Sequence, residues 1–139
     1  MTNPNTAPVF GLTPQTGGIA AGITAANTAT DGTGTVYTVY TAGTNGGYIR
    51  RIRFKGQGTN NASVARIFIN NGSSQGTAAN NSLWGELPLA ATTASNNAAI
   101  GPDFEYPMNM VLKASYVINV CYGTAGSGGW QAIGEAMDY

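Results

Sequence analysis

Two carboxylates set two positions apart, Asp103 and Glu105, are the nearest thing in this 139-residue chain to an acid–base pair. On one face of a strand their side chains stand about 6–7 Å apart, a separation compatible with glycoside hydrolysis or a calcium site. The same spacing suits ion pairing with the basic strip Arg51, Arg53 and Lys55, which Arg50 precedes. Pairing is the simpler reading, because carboxylates at i and i+2 are commonplace on exposed strands. The chain contains no histidine, so it lacks a histidine base for a serine or cysteine nucleophile, a zinc triad and an imidazole pH switch. Its one cysteine, Cys121, lies inside YVINVCY and reads as a small buried hydrophobe rather than a reactive thiol. The glycine-rich run GTAGSGGW at 123–130 has no lysine after its glycines, and no helix is expected to follow it, so it is not a phosphate loop. No enzyme activity, cofactor or metal is expected.

Two further groups could bind without reacting. The basic strip invites nucleic acid, but six basic residues are balanced by six acidic ones, and a neutral chain lacks the usual electrostatic footprint. Pairing with Glu86, Asp103, Glu105 and Glu135, within one subunit or between subunits, accounts for the strip more simply. Arg66 reads as a possible extension of it. Trp84 and Trp130, with Tyr37 and Tyr40, could stack on sugar rings, although core packing is the commoner use of such residues. Three Asn-x-Ser triplets occur in a chain rich in Asn and Ser, and glycosylation is not expected.

The elements that would carry these residues are strands. YIRRIRFKG alternates, with Ile52 and Phe54 on one face and Arg51, Arg53 and Lys55 on the other. SVARIFIN follows a polar loop, so Tyr48–Asn71 reads as a hairpin and as the centre of the fold. TVYTVYT at 35–41 is almost wholly β-branched or aromatic, and Asn45-Gly46 predicts a hairpin into Tyr48. SLWGELPLA places Leu83, Leu87 and Leu89 on one face, with Pro88 marking a sheet edge or bulge. DFEYPMNM alternates until Pro107 limits it, and 111–115 reads as a turn. YVINVCY and WQAIGEAMDY complete about eight strands with no convincing long helix. GIAAGITAANTA at 18–29 reads as extended with Ile19 and Ile23 inward, although its alanines also allow a short helix. Many short strands predict an all-β, two-sheet antiparallel sandwich, a jelly roll of about eight strands.

Only 9% of residues are charged, against about 25% in an ordinary domain. Polarity comes from Gly, Thr, Asn and Ser, which leave little charge repulsion to keep copies apart. The chain divides into an extended N-terminal arm over 1–18 and one sandwich domain over 19–139. Pro4, Pro8 and Pro14 favour an arm over a sheet strand. Either this segment is a loose terminus, or it lies across a neighbouring subunit with Val9 and Phe10 docking. No apolar run reaches the roughly 20 residues needed to cross a bilayer, and the first ten residues lack a signal-peptide pattern.

The motif order TVYTAGTNGGYIRRIRFKG, ASVARIFINNGS, NNSLWGELPL and YVINVCYGTA…GGWQAIGEAMDY, spanning roughly 35–139, resembles small β-rich structural proteins of tailed bacteriophages. The resemblance implies a virion component, foremost a head decoration (cement) protein that binds across capsid subunits. Its partners would be a major capsid protein or other virion subunits, and its state a homotrimer. It would be made in the host bacterial cytoplasm and located in the virion. The capsid or subunit contacts expected from the arm and the basic strip are Pro4, Pro8, Val9, Phe10, Arg51, Arg53 and Lys55. The alternative is a receptor- or glycan-binding knob using Trp84 and Trp130. Such proteins often read Leu-Pro-Ala-Gly before the penultimate strand. Here Leu112-Lys113-Ala114-Ser115 stands in its place, so a differently shaped turn is expected.

Overall fold

A computed structural model gives the fold and describes residues 10–18, 22–101 and 103–139. Among them are eight strands: β1 (Thr13–Gly18), β2 (Tyr37–Thr41), β3 (Gly47–Gly56), β4 (Ser63–Asn70), β5 (Asn81–Leu89), β6 (Phe104–Leu112), β7 (Val117–Tyr122) and β8 (Trp130–Asp138). A single 3-10 turn at Ala78–Asn80 is the only helical element among the described residues. The first sheet has the order β1-β8-β3-β6 and the second β2-β7-β4-β5, with every pairing antiparallel. The expected two-sheet sandwich forms. The pairs β1–β8, β2–β7, β3–β6 and β4–β5 nest inside one another, the nesting that a jelly-roll wrapping requires.

Alternation explains the core. Ile49, Ile52 and Phe54 of β3 and Trp130 and Ala132 of β8 face Ala65 and Ile67 of β4 and Ile118, Val120 and Tyr122 of β7, all buried. Tyr122 sits at the centre of an aromatic cluster, edge-on to Phe54 and stacked with Trp130, which meets Phe104 edge-on. Such ring pairs add to the stabilisation from burial alone.

Several expectations need correction. The Tyr48–Asn71 stretch is not a hairpin, because β3 and β4 lie in different sheets. The Asn45-Gly46 turn, with Gly46 at φ +84°, likewise carries the chain from one sheet to the other. Of the strands adjacent in sequence, only β4 and β5 pair directly. The arm expected over 1–18 is in part a strand, since β1 pairs with β8 from Thr13↔Asp138 to Gly18↔Ile133. Pro14 is tolerated there because β1 is an edge strand. Pro4, Pro8, Val9 and Ile19 lie outside the described residues. Ile23 is buried as expected, but it forms only an isolated bridge to Trp130. The chain after it is neither strand nor helix. Its bonds to Tyr122, Arg66 and Gln75 lay it along the outer face of the second sheet, where Phe68 and Cys121 are buried outside the main core.

Bulges account for the remaining differences. Pro107 does not end β6, which continues to Leu112 and takes up an extra residue between Pro107 and Met110, with Asn109 at φ 47°. Pro88 sits in β5, an edge strand as expected. Ile67 pairs with Gly85 while Phe68 pairs with Leu83, so Trp84 is the extra residue. That shift turns Leu83 away from the face of Leu87 and Leu89.

Candidate functional site

The outer face of the first sheet gathers the charged residues. Arg51 on β3 lies between Glu105 on β6, whose two carboxylate oxygens are each 2.9 Å from Nη1, and Glu135 on β8, 2.7 Å from Nη2. Arg53 donates to Asp103 at 2.9 Å, and its Nε stands 3.4 Å from Glu105 without hydrogen-bond geometry. Lys55 closes the series on Asp103 at 2.6 Å. Strict alternation would send Arg50 to the opposite face. A register shift between Ile49 and Arg51 instead keeps it 3.5 Å from Glu135. Arg66 does not extend the strip, because it lies on the other sheet, bonded to Glu86 at 2.8 Å.

This ladder neutralises itself. The hydrogen bond from Lys55 holds the Asp103 carboxyl below its ordinary range, and that from Arg51 does the same for Glu135. The Glu135 bond raises the Arg51 guanidinium in turn. Asp103 and Glu105 are therefore ion-pair partners of the basic strip. Asp103 is held below its ordinary value, away from the raised range that a general acid requires. These pairs are partly exposed and screened by solvent, so the ladder fixes the register of three strands more than it adds stability.

A second polar cluster ties the ends of the sandwich. Asp138 of β8 accepts from Tyr40 at 2.6 Å, Gln15 at 2.7 Å and the Gly43 amide at 3.0 Å. Burial pushes this carboxyl up, but the three donors together outweigh it and leave the group below its ordinary value. The Tyr40 phenol is raised by its burial and by the neighbouring carboxylate. A Cβ on Gly47 would collide with the Tyr40 hydroxyl, so the cluster requires glycine there.

The remaining candidates separate by exposure. Cys121 is buried and its thiol is raised, chiefly by that burial, which matches an inert packing residue. Trp130 is 0% exposed within the aromatic core and so cannot stack on a sugar. Trp84 is 47% exposed, and the bulge presents it at the sheet edge. Phe10 is 69% exposed beside Leu12 at 76%.

One surface has no counterpart in the expectations drawn from sequence. Pro14 pairs with Met137, Met137 with Tyr48, and Tyr48 with Val111, giving one row across all four strands of the first sheet. Val111 is 65% exposed and Met137 38%. Leu12, two residues before Pro14, donates its amide to the Asp138 carbonyl. Reading 111–115 as a turn hid Val111, and residues 63 to 123 positions apart meet only through strand register. Among the described residues no helix is long and apolar enough to cross a membrane, and no group of three or more Cys, Asp or Glu side chains is placed to hold a metal ion. Comparison with protein-family models, with curated proteins and with solved structures returns no match.

Proposed function

We propose that this chain is a structural protein of a virion, a capsid decoration protein that stabilises a tailed-phage head by binding across capsid subunits. The observation that carries the reading is where the N-terminal segment joins the body. β1 is held at a sheet edge by β8, while Phe10 and Leu12, just before it, are strongly exposed. A rigid sandwich with an apolar lead-in segment is suited to hold a peptide against a neighbouring protein surface. Many such contacts repeated by symmetry would supply avidity without a deep pocket. The jelly-roll reading of the sandwich rests on its nested pairings, and the homotrimer on the resemblance in motif order. The major capsid protein is the proposed partner and the virion the proposed location.

Deletion of residues 1–10 tests this, because it stops short of Thr13, where β1 begins. The truncated protein should keep its β-sheet circular dichroism and lose occupancy on expanded capsids in electron micrographs. Unchanged occupancy would sink the role given to Val9 and Phe10. A second reading, a glycan-binding knob, is favoured only by the exposed Trp84 beside exposed Leu83. It requires saccharide binding on a glycan array that Trp84→Ala abolishes.

A further inference from the structure

Phe68, Asn119 and Cys121 lie on the outer face of the second sheet, away from the main core, yet all three are almost wholly buried. An outer face stays dry only beneath a cover. The segment bonded over it is 24–36, which contains no strand or helix and runs from the Ile23–Trp130 bridge to the start of β2. We infer that 24–36 is a strap that opens as a unit while both sheets stay folded. Access to Phe68 and Cys121 is then set by the strap and not by the stability of the sandwich.

The strap's own bonding carries this. Within it only Asn27 and Gly32 are buried, and Ala29 and Val36 are its half-buried apolar residues. Asn27 folds the strap on itself. Its side-chain amide donates to the Thr33 and Thr35 carbonyls at 2.9 and 2.8 Å, and its Oδ1 accepts from the Ala29 amide at 2.9 Å. These bonds make 27–35 one compact piece, which lifts together rather than residue by residue. Polar pins hold that piece to the body. The Asn27 backbone amide donates to the Tyr122 carbonyl at 2.8 Å, and Arg66 donates to the Asn27 carbonyl at 3.2 Å. From the loop after β4, the Gln75 amide donates to the Gly32 and Gly34 carbonyls at 2.6 and 3.2 Å. Water can replace such bonds on opening, and segments with few buried apolar contacts open at lower free energy than the whole fold. Both ends of the strap are fixed. Ile23 and Trp130 exchange two backbone hydrogen bonds, and Tyr37 pairs with Val120. Opening therefore leaves the main core closed and uncovers one ring, one thiol and the Asn119 amide, whose Oδ1 keeps its bond from Thr38.

Cys121 is the chain's one cysteine, so a thiol reagent reads the opening directly. With dithiobis(nitrobenzoate) at about pH 8, near the ordinary thiol pKa, the Cys121 thiolate attacks the reagent's disulfide. A mixed disulfide forms and one nitrothiobenzoate anion leaves. The full chain should label faster than its global unfolding permits, and the rate should hardly rise in low urea. Asn27→Ala should speed labelling at least about 10-fold, and Gln75→Ala about 3-fold or more. Ile52→Val, in the core of the first sheet, should lower the urea midpoint yet leave labelling within about 2-fold of wild type. If Asn27→Ala fails to fold, hydrogen exchange on the wild type decides instead. The amides of 27 and 29 should then exchange at rates nearly independent of low urea, while those of 67–69 and 118–121 follow global unfolding. Labelling with the urea slope of global unfolding, or accelerated as much by Ile52→Val as by Asn27→Ala, would overturn the inference. So would strap amides that exchange only together with the sheet.

Discussion

At the scale of single residues, the core carries two polar atoms that do nothing for its stability. The Tyr122 hydroxyl and the Trp130 indole nitrogen are buried without partners in the same aromatic cluster. Burial, more than any neighbouring group, pushes the Tyr122 phenol far above its ordinary value. Removing an unsatisfied hydroxyl relieves a desolvation penalty, so Tyr122→Phe should leave stability unchanged or raise it by about 1 kcal/mol in urea unfolding. Ser115 gives a second test. It occupies φ 65° in the turn between β6 and β7, the position where the resembled pattern carries glycine. The departure from that pattern therefore keeps the left-handed backbone and loads it with a side chain. Ser115→Gly should gain about 0.5–1 kcal/mol, measured the same way.

The elements of the first sheet are locked together by paired charges, and this makes their stability depend on acid. Asp103, Glu135 and Asp138 all titrate below their ordinary range when folded. Groups depressed in this way stabilise the fold above their unfolded pKa, near 4, and lose that contribution as pH falls through the lower folded values. The unfolding midpoint should hold constant from about pH 7 to 5 and drop below about pH 4. The flat region is expected because no histidine titrates within it. Arg51→Ala removes the link between β6 and β8 and leaves Glu105 and Glu135 without their shared cation. It should lower the urea unfolding midpoint slightly at low salt and by less at high salt. Asp138→Asn weakens the bonds joining β1, β2 and β8, with an expected loss of about 1–2 kcal/mol and a shallower acid transition.

For the whole molecule, one face does both jobs: its charged end holds strands in register and its apolar end remains open. The composition and the period-two pattern determined by themselves that the chain would be all-β, without histidine chemistry, and that Arg51, Arg53 and Lys55 would share a face. Alternation is a local property of the backbone, so it can be read without knowing what each strand pairs with. Whether neighbours in sequence become neighbours in a sheet is a long-range matter. Tyr48–Asn71 has the pattern of a hairpin, yet its strands separate into two sheets because each buries its apolar face against the other across the core. Bulges were equally hidden. Each inserts a residue against a partner strand without a mark in the local pattern, and so moved Arg50 into the ladder and Leu83 out of its expected face. The tertiary structure alone decided that Pro14, Tyr48, Val111 and Met137 form one row, because only the antiparallel register of four strands brings them side by side.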